Sequence, residues 1–163
     1  MRSLKLLAVI AIVASAVPAS AEIPVSPLPD IYQSYNDCLE IAQNDGLSKA
    51  KLQSLGWSRA KISNPDGTPI ADAPVIYGNV KRKPLIVLSA ESGEGLCIVT
   101  ARIESRSTFP QFLKAWGTSL PAPDKEGVIS FSDDGHIVQI RQTGTDDKPA
   151  LSMAVMTPLK KKN

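Results

Sequence analysis

Histidine and cysteine are nearly missing from this chain. Its 163 residues include one His and two Cys, with two Trp, three Tyr and three Phe. A structural zinc site normally takes four ligands, and His136, Cys38 and Cys97 stand at no metal-binding spacing, so no metal is expected. A thiol nucleophile needs a base to form its thiolate. The single His lies far downstream of both cysteines, with nothing in the sequence to bring it to either.

Glycine patterns that cradle phosphates are absent as well. There is neither a Walker-type loop nor a Gly-x-Gly-x-x-Gly, which disfavours nucleotide-driven chemistry and leaves no cofactor expected. No Gly-x-Ser-x-Gly elbow occurs, since Ser92-Gly93-Glu94-Gly95 lacks the spacing and reads as a hairpin turn.

Charge bias is the third absence. The formal net charge is +2, and the first 21 residues carry two of the eighteen cations and none of the sixteen acids, so the remainder is formally neutral. What basicity remains is clustered in Lys81-Arg82-Lys83 and in the tail Lys160-Lys161-Lys162. A nucleic-acid binder would show a basic stripe with aromatics interleaved, so no nucleic-acid partner is expected. Both clusters read as a solvated turn and a frayed end, with weak contact to an anionic surface as the functional alternative for the tail.

What is present begins with MRSLKLLAVIAIVASAVPASAE. Arg2 and Lys5 precede an apolar run from Leu6 to Val17, followed by Pro18 and the small residues Ala19-Ser20-Ala21. This is the layout of a secretory signal peptide over 1–21, and its apolar run is too short for a spanning helix of roughly 20 residues. The expectation is therefore an exported protein, periplasmic or extracellular, with no transmembrane span after cleavage. In an oxidising compartment Cys38 and Cys97 permit one intramolecular pairing, so a structural disulfide is expected.

Residues 22–30, EIPVSPLPD, form a Pro-rich strap. Asp30 then stands as helix cap with Gln33 three positions on, and Ile31, Tyr35, Cys38, Leu39 and Ala42 recur at helical spacing up to Gly46. A shorter helix follows, capped by Ser48 and ended by Gly56, and Trp57 opens an extended segment to about Ile62. NPDGTP at 64–69 is a chain reversal.

From Ala73 to Arg106 the pattern turns to strands: PVIYGNV, PLIVLSA and LCIVTARI, separated by KRK and ESGEG. In the third, Cys97, Val99, Ala101 and Ile103 share one face. Phe109, Phe112, Leu113 and Trp116 then mark an amphipathic helix whose aromatics read as core. Three more strands follow in GVISFS, HIVQIRQ and ALSMAVM, the first two joined by a tight turn at Asp134-Gly135.

The order implies an α+β two-layer domain over 31–158, with an antiparallel sheet of about five to six strands covered by two to three helices, one disulfide, and a basic tail at 159–163. Three classes of function remain. A disulfide-stapled binding or accessory module of the cell envelope, with a protein or small-molecule ligand, is the first. A small envelope hydrolase is the second: Ser48 with Lys51 matches the Ser-x-x-Lys spacing in which an amine deprotonates a serine, and Asp134 with His136 belongs to the one local cluster of acid and imidazole. A structural envelope protein held through Lys160, Lys161 and Lys162 is the third.

Overall fold

The computed structural model describes residues 23–158 apart from Pro65, Pro69, residues 71–73, Glu91, Ser92 and Thr118. The expected leader 1–21, Glu22 and the basic tail 159–163 lie outside the described residues.

Apolar residues at helical spacing produce α1, Leu28–Ile41, whose buried side includes Ile31, Tyr35, Cys38 and Ile41. It begins earlier than the capping pattern predicted. Pro27 is the cap residue and Pro29 falls in the first turn, where a missing N–H costs nothing. Asp30 is thereby carried inside the helix, where its carboxylate accepts the Lys83 backbone N–H at 3.2 Å, so Leu28–Asp30 belong to the helix rather than to the strap.

A small ribbon follows, β1 (Ala42–Gln43) paired with β2 (Gly46–Leu47). Gly46 has φ 115°, and a Cβ there would collide with the Gly93 backbone, so only glycine fits. Helix α2, Lys49–Ser54, is capped as expected, its Ser48 hydroxyl accepting the Lys51 N–H at 3.3 Å.

The remaining strands are β3 (Trp57–Arg59), β4 (Val75–Asn79), β5 (Arg82–Leu88), β6 (Leu96–Arg102), β7 (Ile129–Asp133), β8 (His136–Gly144) and β9 (Pro149–Met156). They form one sheet in the order β3-β4-β5-β6-β9-β8-β7, with each adjacent pair antiparallel. Five or six strands were expected. The seventh is the segment opened by Trp57, which the alternation marked only as extended.

Cys97, Val99, Ala101 and Ile103 are all fully buried on the face turned towards α1. Cys97 is joined to Cys38 with a Cα–Cα distance of 5.5 Å, so the crosslink fastens α1 to the central strand of the sheet. Helix α3, Thr108–Lys114, packs its aromatic stripe onto the same layer. Phe112 stacks on Tyr32 at 5.0 Å, Trp116 meets Tyr35 and Phe131 edge-on, and the Tyr32 hydroxyl donates to the Phe112 carbonyl at 2.7 Å. This stripe is core, as its spacing suggested.

The turn between β4 and β5 contains only Val80 and Lys81. Arg82 is already in β5, which corrects its reading as part of a solvated basic turn. Its guanidinium pairs with buried Asp37 and lies 5.8 Å from the centre of the Trp57 ring.

Candidate functional site

Helix α1 has two sides. Opposite the residues that meet the sheet, Asn36 and Glu40 stay exposed, and Gln43, just past the helix in β1, continues their row. The β7–β8 hairpin rises beside them, and its turn demands special backbone: Asp134 has φ 46° and Gly135 φ 81°, the left-handed pair that suits a two-residue hairpin.

Between these elements lies a cleft of about 540 Å³ lined by Asn36, Glu40, Gln43, Asn44, Asp134 and His136, with Leu39, Ala42 and Pro158 as its apolar patches. Its size falls in the usual range for small-ligand sites. Its lining is mainly polar.

His136 is 6% exposed, and its Nδ1 lies 2.9 Å from the Met156 carbonyl oxygen. A carbonyl can only accept, so Nδ1 carries a proton and donates it. Asp134 is exposed at the rim. Gln43 donates through Nε2 to the Glu40 carbonyl at 2.7 Å, which steadies the frayed end of α1. The Glu40 carboxylate sits 2.7 Å from the Lys51 amine, with both side chains roughly half exposed, so the pair orients Glu40 more than it stabilises the fold.

One strand position away, Asp133 turns inward and accepts the Tyr35 hydroxyl at 2.5 Å. Burial, then the hydrogen bond and charge of Asp133, raise the Tyr35 phenol well above its ordinary value. This bond anchors the hairpin to α1 and fixes the width of the cleft.

Of the residues named from sequence, Asp134 and His136 therefore meet in one cleft. Lys51 reaches its edge through Glu40. Ser48 stays outside, its hydroxyl engaged as the α2 cap, so the structure does not join the two Ser-x-x-Lys residues to the imidazole. Among the described residues that line the cleft there is no Ser, Thr or Cys. Among the described residues there is also no group of three His, Cys, Asp or Glu suited to a metal ion.

Sequence reasoning missed Asn36, Glu40, Gln43 and Asn44. The available signal was a polar row at helical spacing, but every surface helix carries one, and only the hairpin packed beside it makes this row half of a cleft. No protein-family model matches the chain, and no curated protein and no solved structure matches it.

Proposed function

We propose that this chain is an exported binding module of the cell envelope that takes a small hydrogen-bonding ligand between α1 and the β7–β8 hairpin, without a cofactor. The observation that carries the reading is the convergence of Asn36 and Glu40 of α1 and Gln43 of β1 with hairpin residues Asp134 and His136 around one cleft. Polar groups held on rigid elements and aimed at a shared space are what fixes a ligand's orientation. Three carboxamides offer both donors and acceptors, and the two carboxylates favour hydroxyl or amine groups over anions.

Export is supported by the layout of residues 1–21 and by a crosslink of the kind that persists in oxidising compartments. Binding is preferred to hydrolysis because the imidazole has no hydroxyl or thiol beside it among the described lining residues, while Ser48 is committed to its helix.

Titration of isotope-labelled protein with glucose, putrescine and glycine in turn, followed by amide and carboxamide NMR shifts, tests the reading. Saturable shifts at Asn36, Gln43 and Asp134 with at least one probe are expected. Shifts confined to other regions, or none with every probe, would sink it.

A further inference from the structure

All three helices attach to one face of the sheet, through the Cys38–Cys97 crosslink, the aromatic stack on Phe131 and the contact of α2 with α1. The opposite face is defined by the alternate residues of each strand, and it is divided in two. At one end Met156 stands opposite Leu96, with Ile137 of β8 beside them and 44% exposed. The next row across the sheet runs Ala154, Ile98, Val87 and Ile76, each opposite its neighbour.

At the other end, apart from Leu85 and Ala150, the outward residues are polar and basic. Arg141 lies opposite Ser152 and Lys83 projects from the start of β5, both exposed, while Arg102, opposite Ala150, is half-buried. Every ionisable residue at an outward strand position is a cation, and none is an acid. Among the described residues, the N-terminal segment meets this face at the basic end, where Ile23 sits beside Thr100 and Ala150. Among the same residues, Ile137 is exposed and the rest of the apolar rows are half-buried.

We infer that this face docks on an anionic lipid bilayer, with the apolar rows entering the interface and the basic end meeting lipid phosphates. Charge complementarity selects the occupant. Apolar surface gains by leaving water, and basic side chains are drawn to the negative surface of anionic lipids. In the sequence, three lysines, Lys160, Lys161 and Lys162, follow Met156 after three intervening residues.

A second copy of the chain fits less well. Stacking two such faces about a two-fold axis sets Arg141 and Lys83 against their own copies or over the apolar rows, and either arrangement costs energy. The docking surface is on the side of the sheet away from the cleft, since His136 and its alternate partners Val138 and Ile140 turn to the helix layer. The inference therefore stands or falls independently of the ligand site.

The test is vesicle co-sedimentation of the protein as its host makes it, its processed form established by intact mass. Vesicles of equal parts phosphatidylglycerol and phosphatidylcholine are compared with vesicles of phosphatidylcholine alone. Binding to the anionic vesicles only, weakened by salt, is expected. Replacing Lys83→Gln or Arg141→Gln should each weaken it about fivefold. The pair Val87→Thr and Ile98→Thr keeps β-branched shape and strand preference, and should release the protein while the crosslink stays protected from thiol reagents.

A leader sequence that remained attached would act alike in every variant. Equal binding to both vesicle types, or no binding to either, overturns the inference. So does complete loss on removing residues 160–163 together with no effect of the face substitutions, which would assign the contact to the tail alone. A concentration-dependent dimer abolished by the Val87→Thr and Ile98→Thr pair, with no vesicle binding, would assign the face to a second copy instead.

Discussion

Arg82 donates to the carboxylate of Asp37, a residue 2% exposed in the middle of α1, and the same carboxylate oxygen accepts the Trp57 indole N–H at 2.7 Å. The three groups join α1, the edge strand β3 and the start of β5 through one buried negative charge. Arg82 completes the arrangement by lying over the Trp57 ring.

Removing the cation should therefore cost far more than removing a surface residue. Arg82→Met leaves the Asp37 charge buried with only the indole as donor, and a broken buried pair typically costs about 3–5 kcal/mol. Urea unfolding should show a lower midpoint with an unchanged slope. The double variant Arg82→Met with Asp37→Leu should recover most of the loss, because the unpaired charge is gone. A single variant as stable as the parent would show that the pair contributes nothing.

The crosslink makes a separate prediction. Cys38 and Cys97 are both fully buried and are separated by 59 positions. The chain-entropy model gives about 4 kcal/mol for closing a loop of that length. Cys38→Ala with Cys97→Ala should lower stability by that order, and in the parent a thiol label should react only after reductant and denaturant are both present. Fast reduction of the native protein would contradict the burial of the crosslink.

Alkaline pH should loosen the contact between the hairpin and α1. Tyr35 ordinarily ionises near pH 10.0, and in the folded chain burial and the Asp133 carboxylate push its pKa higher still. Below pH 10 the phenol is neutral in both states and its contribution to stability is fully present. Above pH 10 the unfolded chain loses the proton while the folded chain keeps it, so stability falls as pH rises. Unfolding midpoints from pH 9 upward should decline, and Tyr35→Phe should flatten the decline. Tyr32, also raised by burial, leaves a residual slope. An identical slope in the Tyr35→Phe variant would rule out this origin.

The sequence made certain features legible because local chemistry decides them. Asp134-Gly135 can adopt the left-handed turn that its hairpin needs, and Cys97 alternates with Val99 and Ala101 whatever the strand order. Arg82 was misread because a run of three basic residues is usually solvated, and its partner Asp37 lies on a helix 45 positions earlier. The start of α1 was misplaced because Asp30 makes a good cap on paper, whereas Pro27 and Pro29 preset the helical entry three residues earlier. The cleft was illegible for the same reason as the ion pair. Asn36 and His136 meet only once the sheet has brought the last hairpin back across the first helix.

Asp134 allows the cleft reading to be separated from folding. Its φ of 46° is strained for most side chains but readily adopted by Asn and Gly. Asp134→Asn and Asp134→Gly should therefore unfold within about 0.5 kcal/mol of the parent, whereas Asp134→Val forces a β-branched residue into the turn and should cost about 1–3 kcal/mol. Ligand response divides the two benign variants differently. An amine such as putrescine should weaken in both, because both remove the rim charge. A sugar should weaken more with Gly than with Asn, because the carboxamide still offers hydrogen bonds. If Asp134→Gly left every probe's affinity unchanged while the fold stayed intact, Asp134 would be hairpin chemistry alone, and the binding surface would have to be sought around Asn36 and Gln43 without it.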